Sequence, residues 1–452
     1  MAVIVDQNQK LLTACGTFAN VSRARWIKAI SGALDLAEGL PPGHSRRACW
    51  IAMQIADRMA LGSADLANVY YAMLLKDIGC TSNAARLFEI YGADDLQLKS
   101  DFRRVDTQDV LQLFRYVASH VTPFAPVRRR LARLIWIVRH GRALQRELIV
   151  GRCERGAELV RRMGLPAAVA QAISSLDEHW NGRGYPNHLA AAQIPILSRI
   201  ALAAQIAEVF YASGGPALAT RQLCNRSGKT LDPIVVRAFV SVSADREFWS
   251  NLANPHLPEL LDDLFPAGHD LPMTKTEVNN SIEVLADVVD AKSPSLEGHS
   301  RRVAQMAQVM AQHLNVPALS SLEIYHAALL HDIGKLGVSN AVLDKPQPWS
   351  ASDSAAYHRH VALSVEIIAS FPTLEALVPI VAMHHERLDG TGFPHRPAAS
   401  DIPLGSRIIA VADAFDHLCR RHPQTSGSQI AALLAKDAGV DQAVVSALAN
   451  AS

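Results

Sequence analysis

The chain repeats itself. Gly43-His44-Ser45-Arg46-Arg47 returns as Gly298-His299-Ser300-Arg301-Arg302, and AMLLKDIGC (Ala72 to Cys80) returns as AALLHDIGK (Ala327 to Lys335). Both pairs are offset by 255 residues, His44 to His299 and Asp77 to Asp332. Further on, WNGRGYPNHL returns as LDGTGFPHRP and IPILSRI as IPLGSRI, now offset by 208, Gly184 to Gly392. Two constant offsets mean two copies of one fold, the first carrying the difference of 47 residues as an insertion within about 81–150. In both copies apolar residues recur at helical rather than alternating spacing, so the expectation is an all-α protein. The boundaries expected are an unassigned segment 1–23, a first copy over 24–265, a Pro/Gly/His linker at 266–275 and a second copy over 276–452.

Composition excludes several classes. With 49% hydrophobic and 19% charged residues the chain can bury a core and is not broadly disordered. A formal net charge of +1 gives no global field toward nucleic acid. Six scattered cysteines without a C-x-x-C pair fit reduced thiols, and the start MAVIVDQNQKLL lacks the pattern of a signal peptide. The expectation is a cytoplasmic chain with no transmembrane segment. In the insertion, Pro126 to Leu148 alternates arginines with apolar residues at helical spacing. This reads as an amphipathic helix with a solvated basic face, or more sharply as a surface for an anionic partner or a membrane.

The second copy gathers polar residues against apolar helical stretches: His299, His331-Asp332, His360, His384-His385 and Asp413. A lone histidine on an apolar face is more often a hydrogen-bonded core residue than a ligand. Seven such residues within about 120 are hard to explain that way. Five imidazoles and two carboxylates suit one octahedral site or two metals sharing a carboxylate, with iron, manganese or nickel at least as apt as zinc. Asp332 has two oxygens to share. Lys335, three residues after Asp332, shares its face if the stretch is helical and would offset charge on a phosphate.

The segments GHSRRV, HDIGK, His360 in its helix, HHERLDGTGFP and RIIAVADAFDHL, in that order, resemble the HD-GYP domains, a branch of the HD metal-dependent phosphohydrolases. The resemblance covers about Glu277 to Leu418. It implies two tandem HD-type helical domains and hydrolysis of cyclic di-GMP to linear dinucleotide or GMP. It further implies two divalent metals, one held by His299, His331, Asp332 and Asp413, the other by His360, His384 and His385 with Asp332 bridging. Lys335 would contact the substrate phosphate, and Asp389, Gly390 and Gly392 are the further substrate-binding candidates. The family tyrosine is Phe393 here, and an Arg-Pro-Tyr-Arg run is replaced by Arg420-Arg421-His422-Pro423.

In the first copy Lys76 stands for His331, Cys80 for Lys335, Leu176-Asp177 for the histidine pair, Gln205 for Asp413, and Arg152 for His360. Such a site would repel divalent cations. The first copy is therefore expected to regulate or support the second, with a homodimer or a signalling-protein partner as its expected interactions and no nucleic acid. The rival readings are a phosphohydrolase of other nucleotides or phosphomonoesters, and a non-catalytic scaffold that binds a nucleotide or a partner.

Overall fold

The computed structural model describes residues 21–451 apart from 107, 108, 124 and 347. Residues 1–20 of the unassigned segment lie outside the described residues. The described residues are helical throughout except for loops and one pair of two-residue strands, Val21–Ser22 and Pro272–Met273. The chain divides into two units: 22–272 together with 339–344, and 273–338 together with 345 onward. The division at Pro272/Met273 falls inside the 266–275 stretch, whereas the assignment of 339–344 to the first unit has no sequence signal.

The first unit opens with α1 (Arg23–Ala37), α2 (His44–Arg58) and α3 (Ser63–Leu75). Ser22 caps α1 by accepting from Arg25 N at 3.1 Å. The insertion supplies α4 (Ala84–Tyr91), α5 (Asp95–Phe102), α6 (Val110–His120) and most of α7 (Val127–Arg162). The amphipathic stretch expected over 126–148 is thus the first part of one 36-residue helix. Its inner face joins Ile137 and Leu144 to Ile90, Leu98, Tyr116 and Val117 in a small core of the insertion's own. Helices α8 (Ala167–Ser174), α9 (Ile196–Arg226) and α10 (Pro233–Ser243) follow, with two short helices, Arg246–Leu252 and Leu257–Asp263, before the linker. Helix α10 begins where Asp232 accepts from Ile234 N at 2.7 Å and proline occupies the first turn. Helix α9 is long and apolar enough to cross a membrane by length and composition, but 67% of its most apolar window is buried and its backbone breaks at Gly214 and Gly215.

The second unit comprises α11 (Lys275–Asp290), α12 (His299–His313), α13 (Ala318–Leu330), α14 (Ala351–Ala369), α15 (Val378–Ala382), α16 (Leu404–Arg421), α17 (Gly427–Leu434) and α18 (Gln442–Ala451). Thr274 and Glu277 form a capping box that starts α11.

The repeated Gly-His-Ser motif has a structural reason. Gly43 and Gly298 have φ of 80° and 64°, a left-handed turn that favours glycine, just before α2 and α12. Ser45 then donates through its backbone N and Oγ to Asp35 at 3.1 and 2.7 Å, and Ser300 does the same to Asp290 at 3.1 and 2.7 Å. A carboxylate at a helix N-terminus satisfies otherwise orphaned N–H groups. The turn thereby holds His44 and His299 as the first residues of their helices, aimed inward.

Candidate metal centre

Asp332 organises the second unit's polar cluster. It is 1% exposed, in the turn after α13, and its two oxygens face different partners. Oδ2 lies 3.2 Å from His331 Nε2 and 3.5 Å from His299 Nε2. Oδ1 lies 3.3 Å from His360 Nε2 and 4.0 Å from His384 Nε2. Asp413 on α16 approaches His299 Nε2 at 3.3 Å, and the His385 ring lies 4.1 Å from that of His384 and 5.1 Å from that of His360 between centroids. All seven residues singled out in the sequence therefore converge. Their donor atoms form two groups that could each hold an ion, His299–His331–Asp332 and Asp332–His360–His384–His385.

The outer nitrogen of four of the five imidazoles is held by a hydrogen bond. Nδ1 of His331, His360 and His384 donates to the carbonyls of Ala328, Tyr357 and Val381 at 2.7, 2.6 and 2.6 Å. A carbonyl has no proton to give, so Nδ1 carries the hydrogen and Nε2 presents a lone pair inward. Burial pushes His360 down to about 3 and His384 to about 4, so both rings are neutral. His299 differs: burial would lower it, but Asp332, Asp416 and Asp413 together raise it to about 9. Its Nδ1 pairs with Asp416 Oδ2 at 2.8 Å, and Arg302 Nε binds the other oxygen of Asp416 at 2.5 Å. Asp416 went unnoticed in the sequence, although its spacing of three from Asp413 puts both on one side of α16.

Lys335 reaches Asp332 Oδ2 directly, and is 5% exposed. It does so from a different backbone than expected: α13 ends at Leu330, and Ile333–Gly337 is a 3₁₀ turn. At three residues per turn, positions 332 and 335 eclipse. Burial would strip the proton from Lys335, but the Asp332 carboxylate holds its pKa well above the usual value. The turn packs so closely on α14 that Gly334 leaves no room for a side chain. Ser364 braces it, accepting from Gly334 N and donating to the His331 carbonyl, both at 2.8 Å.

The loop 389–394 reaches the cluster through Phe393, whose ring stacks on His385 at 4.6 Å and on His358 at 3.8 Å. Phe393 is thus a wall beside a candidate ligand. Asp389 accepts from Thr391 N and Oγ1 at 3.0 and 2.6 Å, Gly390 has φ of 72°, and a Cβ on Gly392 would meet backbone atoms of residues 385–387 at 2.6 Å. These contacts shape the loop itself. Glu386, buried and missed in the sequence, secures its far end by accepting from His395 N at 2.6 Å and Arg396 N at 3.1 Å. Glu178 receives the matching bond from Asn187 N at 2.6 Å in the first copy.

The corresponding place in the first unit is filled with side-chain cations. Lys76 pairs with the neighbouring Asp77, Arg103 binds Asp77 at 2.9 Å and Glu38 at 2.8 Å, and Arg152 Nε binds Asp177 at 2.8 Å. Arg152 passes the same neighbour as His360 does: its carbonyl abuts Gly79 where that of His360 abuts Gly334. Arg103 comes from the insertion and has no counterpart in the second copy. Burial would raise the Asp77 pKa, yet Arg103 and Lys76 hold it well below the carboxylate range. His44 keeps the outer support, with Glu208 and Arg47 in the places of Asp416 and Arg302. Asp77→Ala takes the carboxylate from buried Lys76 and one of the two that bind Arg103, and is expected to destabilise the chain by about 3–5 kcal/mol in chemical denaturation. A change below about 1 kcal/mol would mean these pairs do not hold the unit together.

This fold and cluster have known relatives. The HD domain family matches residues 140–222 and 283–444, and the chain belongs to that family. Among characterised proteins, 3'3'-cGAMP-specific phosphodiesterase 3 of Vibrio cholerae is 37% identical over 407 residues, 90% of this chain and 88% of its own. A cyclic di-GMP phosphodiesterase of Thermotoga maritima is 31% identical over 144 residues, 31% of this chain and 39% of its own. A crystal structure of a cyclic GMP-AMP specific phosphodiesterase from V. cholerae superposes with a TM-score of 0.66 and 31% identity, covering 96% of this chain and 98% of that one.

Proposed function

We propose that the second unit hydrolyses a phosphodiester bond of a cyclic dinucleotide, with 3'3'-cGAMP preferred and cyclic di-GMP second. The observation that carries the chemistry is Asp332, one oxygen turned to His299 and His331 and the other to His360 and His384. The preference for 3'3'-cGAMP is supported by the likeness that spans both copies, 90% of this chain, whereas cyclic di-GMP phosphodiesterases match 28–42% of it.

The cluster fits metal ions on its own geometry. Nε2 of His331 and His360 and Oδ1 of Asp332 are buried without a hydrogen-bond partner. Two lone pairs 3.2–3.3 Å apart repel unless a cation lies between them. His299, His331, Asp332 and Asp413 would hold one ion, and His360, His384 and His385 with the shared Asp332 the other; iron, manganese and nickel suit this donor set. Bound there, such ions supply hydroxide near neutral pH and polarise the phosphoryl oxygens. The backbone carbonyls on Nδ1 hold His331, His360 and His384 in the ligating tautomer, and Lys335 adds a positive charge beside the carboxylate. Lys335→Ala is expected to lower turnover by about 10²–10³, the usual effect of losing one charge-stabilising group, while both ions stay bound. Unchanged turnover would remove Lys335 from the reaction.

The test is incubation of anaerobically prepared, metal-loaded full chain with 3'3'-cGAMP and with cyclic di-GMP, products being separated by chromatography. Linear dinucleotide should appear, faster from 3'3'-cGAMP. Faster release from cyclic di-GMP would reverse the preference. Cleavage of a phosphomonoester but of neither cyclic dinucleotide would favour a general phosphohydrolase, and binding without cleavage a scaffold.

A further inference from the structure

Helices α6 and α7 of the insertion each carry exposed apolar residues that no described residue covers. Val110, Leu111 and Phe114 on α6 are 79, 57 and 49% exposed. On α7, Val127, Leu131, Ile135 and Val138 are 81, 55, 45 and 62% exposed. At 100° per residue those four lie within about 80° of one another, so they form one stripe along α7. Arg142 lies on the same line, and exposed Arg128, Arg139 and Arg146 lie along one flank. Between Pro126 and Leu148 there are seven arginines and one acidic residue, Glu147, in a chain whose net charge is +1. The opposite face of α7 is anchored in the insertion's core through Ile137 and Leu144, so the stripe is held outward over roughly 17 Å of helix.

We propose that this face binds an anionic lipid bilayer, lying in the plane of the membrane with the leucine and isoleucine side chains among the acyl chains and the arginines at the phosphates. An apolar stripe flanked by arginines is complementary to a surface that is apolar inside and negative at its edge. A second copy of the chain fits less well. A two-fold interface sets the same patch against itself and would bring the arginine rows together with one acidic residue per chain to offset them. The reading is independent of the chemistry assigned to the second unit.

Vesicle flotation of the full chain tests it, with phosphatidylglycerol and phosphatidylcholine in equal parts against phosphatidylcholine alone. Protein should float with the anionic vesicles, release as salt is raised, and stay down with phosphatidylcholine. Combined Arg128→Gln, Arg139→Gln, Arg142→Gln and Arg146→Gln should weaken partitioning by about a hundredfold or more, at roughly tenfold or less per arginine. Leu131→Ser with Ile135→Ser should also prevent flotation, without changing thermal unfolding since both side chains are exposed. Absence of flotation with either vesicle, or equal flotation with both, overturns the proposal. So does a dimer seen by sedimentation without lipid that Leu131→Ser with Ile135→Ser dissociates, since a second copy would then cover the stripe.

Discussion

Asp332→Ala protein, purified anaerobically, should retain neither ion and should turn over at least about a thousandfold more slowly than wild type. The size of the effect follows from one carboxylate serving two groups of imidazoles. His331 and His360 approach opposite oxygens of Asp332 at 3.2 and 3.3 Å, so its loss removes a donor from each side at once. Lys335 is then left buried without its counter-charge, which adds repulsion against any cation that remains. Loss of a peripheral donor is expected to be milder: Asp413 is 23% exposed and touches the cluster through His299 alone. Metal analysis and single-turnover kinetics on the same preparation check both halves. If Asp332→Ala kept a full metal complement, the carboxylate would not join the two groups.

Gly334→Ala should destabilise the second unit by about 3 kcal/mol or more and displace His360. A Cβ there would stand 2.0 Å from the His360 carbonyl oxygen and 2.6 Å from Ser364 N, and both are backbone atoms of one helix that cannot step aside separately. Separating the turn from α14 moves Asp332 away from His360, so metal affinity should fall together with stability. Gly390→Ala is the matched control. Its φ of 72° makes alanine strained, but nothing lies within 4 Å of its Cβ position, so a cost near 1 kcal/mol is expected with the cluster undisturbed. Denaturation midpoints of the two variants decide the matter, and equal costs would contradict the close-packing account.

The contrast between these glycines shows where sequence reasoning reached and where it stopped. Helical periodicity and two constant offsets were enough for an all-α tandem protein, because each helix repeats its apolar face in place. The seven clustered residues were legible because buried polar groups against apolar stretches stand out. What supports them was not. Asp416, Asp290, Ser364 and Glu386 act through hydrogen bonds to residues nine or more positions away, and nothing local distinguishes them from capping or surface residues. Arg103 was hidden because the insertion has no second copy to compare with. Gly392 drew attention as a place where backbone could approach a ligand, whereas what crowds its Cβ position is the backbone of residues 385–387. Lys335 shares a side with Asp332 through a 3₁₀ turn, not the α-helix that its spacing suggested.

The repeat also explains how one fold came to hold two different interiors. The outer supports persist: Asp35 and Asp290 hold the glycine turn, and Glu208 and Asp416 hold the first histidine. The inward groups differ: Lys76 and Arg152 stand where the second unit has imidazoles, and Arg103 enters from the insertion. In the first unit, fixed side-chain charges neutralise the carboxylates for which the second unit requires ions.

That distinction can be counted. Metal analysis of the anaerobically purified full chain should give about two transition-metal ions per chain. A value near two that falls to zero in Asp332→Ala, and is unchanged in Asp77→Asn, is the result this account predicts. A value near four, or one that drops in Asp77→Asn, would contradict it, because the first unit's carboxylates would then be holding ions in place of Lys76 and Arg103.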